Sequence, residues 1–134
     1  MHGDLVVEMN DAWWIEASMS GFVPPGTSYR ADDTATRGRA VFVVTINEIC
    51  PVRRNADVSI FNGNDEHTAQ VRVVSILKAF GNNDALPPVE VVEEPVGGAY
   101  RYRLVDGTHR FYCSMFAGFM HIPAVMGFDP NAMI

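Results

Sequence analysis

A carboxylate, a glycine, a hydroxyl, an imidazole and a guanidinium follow one another at Asp106-Gly107-Thr108-His109-Arg110. The flanking pattern places this run where a strand turns directly into a helix. The first N–H groups of a helix have no partner inside it, so such a turn offers them to an anion. Gly107 permits a tight turn and close backbone approach, Thr108 adds a hydroxyl, and Arg110 can clamp a phosphate or carboxylate with two parallel hydrogen bonds. His109 brings a group that titrates near neutrality. Asp106 has three roles open to it: capping the helix, holding a hydrated magnesium ion beside a nucleotide, or accepting a proton from a hydroxyl. An Asp-Gly pair followed by Thr is also a common helix start, and for Asp106 alone capping is the simpler reading. For the whole run a function is favoured, because consecutive His and Arg in a first turn oppose the helix dipole and call for an anionic partner. The candidate catalytic residues are therefore Asp106 and His109, and the candidate binding residues are Gly107, Thr108, His109 and Arg110.

The other chemistry-bearing side chains are scattered. Glu66 and His67 open a long amphipathic segment, where polar residues at a helix start are expected for dipole reasons. His67 is a secondary candidate for the anion site, and His121 reads as a surface or packing residue. The histidines show no local ligand spacing, so no metal site is expected. Cys50 and Cys113 are far apart and read as reduced thiols, with Cys113 turned to the core. Trp13 and Trp14 point about 100° apart on a helix, so one belongs to the core while the other covers a loop or marks a partner surface.

The elements that must position the run can be read from apolar period and breakers. Asn10 to Glu16 is a short capped helix with Gly21 as its stop, and residues 22–38 form a long loop rich in Pro, Gly and Asp. Val41-Phe42-Val43-Val44 has the uninterrupted apolar character of a strand covered on both faces, and Ile46 to Ile49 is one helical turn ended by Pro51. From Asp65 to Phe80, Ala69, Val73, Ile76, Leu77 and Phe80 share a face from which Arg72, Ser75 and Lys78 fall away. Gly81 is the expected left-handed stop of that helix. Val89 to Glu93 and Tyr100 to Val105 read as a hairpin across Pro95-Val96-Gly97-Gly98. The period then becomes helical, with Phe111, Tyr112, Met115 and Phe116 at helical spacing until Gly118, before a last strand at Ile122 to Met126. This order predicts an α+β fold: a small mixed sheet with surrounding helices.

Composition bounds the function. With 134 residues, of which 48% are hydrophobic, the chain can bury one core of ordinary domain size. A net charge of -6 disfavours stable binding to DNA unless the few cations gather on one face. No apolar run approaches the ~20 residues of a membrane span, and the start lacks the features of a signal peptide, so a cytoplasmic protein is expected.

Taken together, Pro87 to Val92, Tyr100 to Val105, Asp106-Gly107-Thr108-His109-Arg110-Phe111, Ala117-Gly118 and Ile122 to Val125 resemble the ParB/sulfiredoxin superfamily. Val43 to Ile49 with Arg53 and Arg54 is similar to that family's opening strand and first turn, and Asp65 to Phe80 to the helix that follows. The resemblance implies a domain over residues 41–128, with residues 1–40 as an N-terminal extension packed on it and 129–134 as a tail. It also implies ATP or another nucleotide, with or without magnesium, whose phosphates rest on the turn before Thr108. Arg110 would bind phosphate, and Arg53 and Arg54 would add contacts. Sulfiredoxins place a catalytic cysteine where this chain has Thr108, so the likeness does not extend to sulfinic acid reduction. The Asp-Gly-His-His-Arg run of the family's free-serine kinases is closer, matching Asp106, His109 and Arg110. The expected activity is phosphotransfer or nucleotide hydrolysis on a small substrate. The rival is a non-catalytic nucleotide or anion sensor, with nucleic-acid processing third. Residues 1–40 would form a lid or a dimer contact, which leaves a homodimer open.

Overall fold

The computed structural model describes residues 10–50 and 66–127. Helix α1 spans Asp11–Glu16, strand β1 Phe42–Thr45, strand β2 Ile49–Cys50 and helix α2 Glu66–Asn82. Strand β3 covers Val89–Glu93, β4 Tyr102–Asp106, α3 Thr108–Ala117 and β5 His121–Met126. The strands form one five-stranded mixed sheet in the order β1-β5-β3-β4-β2, so the architecture is the expected α+β mixture. Strands β3 and β4 are the antiparallel hairpin, whereas β5 returns parallel to β3 and antiparallel to β1. The crossover from β4 to β5 is α3, and this fixes the end of β4 beside the start of a helix.

Apolar spacing explains how the helices dock. On α2, Ala69, Val73, Leu77 and Phe80 are buried and Ile76 is partly buried against them, while Arg72, Ser75 and Lys78 face outward. The same buried cluster takes in Leu104, Val89 and Val91 of the sheet, Phe111 and Cys113 of α3, and Trp13, Ala17, Met19 and Tyr29 from the N-terminal segment. Trp14 is partly buried against this cluster. Asn10 caps α1 by accepting from the Ala12 N–H at 2.9 Å.

Several expectations need correction. Strand β1 is not covered on both faces: it is the sheet edge, bonded to β5 alone among the named strands, and Val43 is 57% exposed. A fully apolar run of four residues carries no period, so it cannot report which of its members faces water. Helix α1 stops at Glu16, where Ser18 adopts φ 60°, well before Gly21. Gly81 does not end α2; the helix continues to Asn82, and Asn83 takes the left-handed conformation at φ 57°. Asn tolerates that region through its short polar side chain, and Asn83 and Asp84 close the helix by donating to the Phe80 and Ala79 carbonyls. Only Ile46–Glu48 makes a tight turn, since Ile49 already pairs with Tyr102 as part of β2. On α3, Met115 is 44% exposed despite its helical spacing, and Ser114 and Ala117 join the core beside Cys113, which is buried as expected. No helix among the described residues is long and apolar enough to cross a membrane.

Candidate functional site

The turn between β4 and α3 is built on Gly107. Its φ of 99° lies in the left-handed region, and a Cβ there would stand 2.7 Å from Val89 Cγ1 and 3.0 Å from Arg110 Nη2. Only glycine satisfies both the dihedral and the space. The Gly107 carbonyl accepts the first helical bond from the Phe111 N–H at 2.9 Å, which leaves the N–H groups of the first turn facing outward from the helix start.

Asp106 does not cap the helix. The capping position is Gly107, with no side-chain hydrogen bond to the helix start, and Asp106 is the last residue of β4. The left-handed glycine carries the chain round before the helix begins, which leaves the carboxylate on the rim with its side chain 67% exposed. Its Oδ2 lies 3.8 Å from Arg110 Nη2, too long for a strong ion pair. Arg110 is more enclosed, at 21% exposure of its side chain. Its Nη2 donates a long 3.5 Å bond to the Pro88 carbonyl, and its Nε–H is buried with no hydrogen-bond partner among the described residues. An unpaired buried donor costs about 1–3 kcal/mol, so the guanidinium is left with capacity for an acceptor.

Asp106, Gly107, Thr108, His109 and Arg110 line one open cleft of about 610 Å³. The opposite wall comes from α2, which presents Arg72 and Ser75 with the apolar side chains of Val71 and Ile76. Helix α2 is held there by Leu77 and Val73 in the core, so its outward face becomes a wall of the cleft. All five residues of the run thus line the same cleft. Arg53 and Arg54 lie outside the described residues. His67 is in the first turn of α2 by its backbone. His121 sits on β5 opposite Thr45 and does not line the cleft.

Three contributors escaped the reading of the residues. Arg72 and Ser75 were assigned to the solvent face of an amphipathic helix, which is correct but does not distinguish open solvent from a cleft. Tyr29 comes from the long N-terminal loop, is buried, and donates to the Pro87 carbonyl at 2.6 Å beside the arginine. Burial pushes its phenol well above the ordinary tyrosine range, against the opposing pull of the Arg110 guanidinium. Its only sequence signal was an aromatic residue in a Pro/Gly-rich stretch.

Burial also settles the chemistry of Cys113. The thiol is enclosed in the core and pushed up to about 12, which removes it from nucleophilic work near neutrality. Among the described residues, no group of three His, Cys, Asp or Glu side chains is placed to hold a metal ion. No protein-family model matches the chain, and no curated protein is significantly similar to it.

Proposed function

We propose that this chain carries a ParB/sulfiredoxin-like domain that binds ATP or another nucleotide by its phosphates at the Gly107–Arg110 turn. The reading extends to transfer of the terminal phosphate to a small substrate or to water. The observation that carries it is the pairing of a helix N-terminus with a guanidinium that has an unpartnered, buried Nε–H, on one wall of a cleft whose other wall offers Arg72 and Ser75. Two cations and the outward N–H groups of a helix suit a ligand with more than one phosphate. Val71, Ile76 and Val105 add apolar surface for the remainder of the ligand.

In this scheme Arg110 and Arg72 offset the charge that accumulates on the phosphate oxygens. Asp106 or His109 takes the proton of the attacking hydroxyl as the new P–O bond forms and the bond to the nucleotide diphosphate breaks. Among the described residues, Asp106 is the single carboxylate lining the cleft. That donor set fits magnesium held by one carboxylate together with phosphate oxygens and water.

Calorimetric titration with ATP, ADP and CTP, with and without magnesium, tests the reading against Arg110→Ala. Saturable binding that disappears in the variant, while its Tm stays close to that of the parent, supports it. Equal affinity in both proteins sinks it. One carboxylate among the described lining residues also favours a second reading, a nucleotide sensor without turnover. Binding without release of phosphate from any tested acceptor would select the sensor.

A further inference from the structure

We propose that Tyr29 is the positioning residue for Arg110, tying the N-terminal segment to the anion site. The inference rests on the reading of the cleft as an anion site, but the convergence of the two side chains stands on two hydrogen bonds. Tyr29 donates its hydroxyl proton to the Pro87 carbonyl at 2.6 Å, and Arg110 Nη2 reaches the next carbonyl, that of Pro88, at 3.5 Å. The two side chains therefore converge on one dipeptide from different elements. With its proton committed to Pro87, the phenol oxygen has only acceptor capacity left to offer, and the neighbouring group that can use it is a guanidinium.

The ring is itself held. Tyr29 is buried and stacks on Phe80 of α2, with centroids 5.6 Å apart and planes 26° from parallel. Its segment is sewn to the rest of the fold on both sides. The Met120 and His121 N–H groups both donate to the Thr27 carbonyl at 3.1 and 2.9 Å, Leu86 N–H donates to the Arg30 carbonyl at 2.9 Å, and Asp32 N–H donates to the Leu86 carbonyl at 2.8 Å. An arginine side chain has several rotatable bonds, and a fixed ring hydrogen-bonded to the neighbouring carbonyl limits rotamers that would swing the guanidinium out of the cleft. Tyr29 would thus act through Arg110 without touching the ligand.

The test uses Tyr29→Phe, which keeps the stacked ring and removes only the hydroxyl, together with Arg110→Lys and the double variant in the full chain. The first readout needs no ligand: the Nε–Hε resonance of Arg110, assigned by its loss in Arg110→Lys, should shift or broaden in Tyr29→Phe. The second is the affinity for inorganic pyrophosphate. Tyr29→Phe should weaken it roughly 2- to 10-fold, the size of one neutral hydrogen bond, and the losses from the two single variants should not add in the double variant. A lowered Tm with an unmoved Arg110 resonance and unchanged affinity gives Tyr29 a merely structural role and overturns the proposal. Additive losses overturn it as well. Should the parent protein bind neither pyrophosphate nor ATP, the anion-site reading fails, and the Arg110 resonance alone decides whether Tyr29 positions it.

Discussion

Val89 and Gly107 approach so closely that the turn before α3 has no room for a side chain: a Cβ on Gly107 would fall 2.7 Å from Val89 Cγ1. The contact matters because Val89 is fully buried at the start of a central strand and cannot retreat. The same Cβ would press on Arg110 Nη2, so one atom would disturb both the sheet and the candidate ligand-binding group.

Gly107→Ala is therefore expected to destabilise the fold by about 2–4 kcal/mol, combining left-handed strain with overpacking. It should also displace the arginine, so that nucleotide affinity falls even in the folded fraction. Denaturant unfolding and titration on the same variant separate the two effects. A stability change below ~0.5 kcal/mol would contradict the close approach.

Arg72 and Arg110 come from different helices and line the same cleft. A ligand long enough to meet both should feel the loss of either. Arg72→Ala is expected to weaken ATP and ADP by about tenfold or more, the lower end for a charge-assisted hydrogen bond, and to change AMP far less. Because Arg72 is exposed, its removal should leave Tm nearly unchanged. Affinities for the nucleotide series in the parent and variant check this, and an equal loss for AMP would mean that Arg72 does not read the outer phosphates.

Which parts were legible before the structure, and which were not, follows from the range of the physical signal. The strand-turn-helix around Gly107 was legible because each step is local: alternation ends, a glycine intervenes, and a helical period begins. The α2 face was legible for the same reason, with Ala69, Val73, Leu77 and Phe80 falling inward as spaced. Edge position was not legible for β1, since its pairing with β5 joins Phe42 to Ala124 across most of the chain. Tyr29 was hidden by the same distance, its partner Pro87 being 58 residues away. Capping by Asp106 failed for a local reason: the preference for Asp at a helix start does not reveal whether the following glycine takes the left-handed turn.

The amphipathic face of α2 can be tested by neighbours with opposite surroundings. Leu77 is fully buried and Lys78 is exposed. Leu77→Ala should cost about 3 kcal/mol, within the range for buried leucines, whereas Lys78→Ala should change stability by less than ~0.5 kcal/mol. Urea midpoints for the two variants give the comparison directly, and similar values would mean that the helix is rotated from the described orientation.

Alkaline pH should weaken the fold from a defined onset. Burial pushes the Cys113 thiol from 9.0 up to about 12, and burial also raises the phenols of Tyr29 and Tyr112 above 10.0. In the unfolded chain these groups lose their protons at their ordinary values, while the folded chain keeps them. The folded state then binds more protons, so stability falls as pH rises. The Cys113 contribution is intact below the ordinary thiol value and declines above it by about 1.4 kcal/mol per pH unit; the tyrosine contributions begin roughly one unit later. Urea midpoints measured at pH 8, 9 and 10 should therefore fall in the parent protein, and Cys113→Ala should remove the earlier part of that fall. A parent profile that stays flat to pH 10 would mean that the thiol is solvated or already ionised in the fold, and the placement of Cys113 on the inner face of α3 would have to be abandoned.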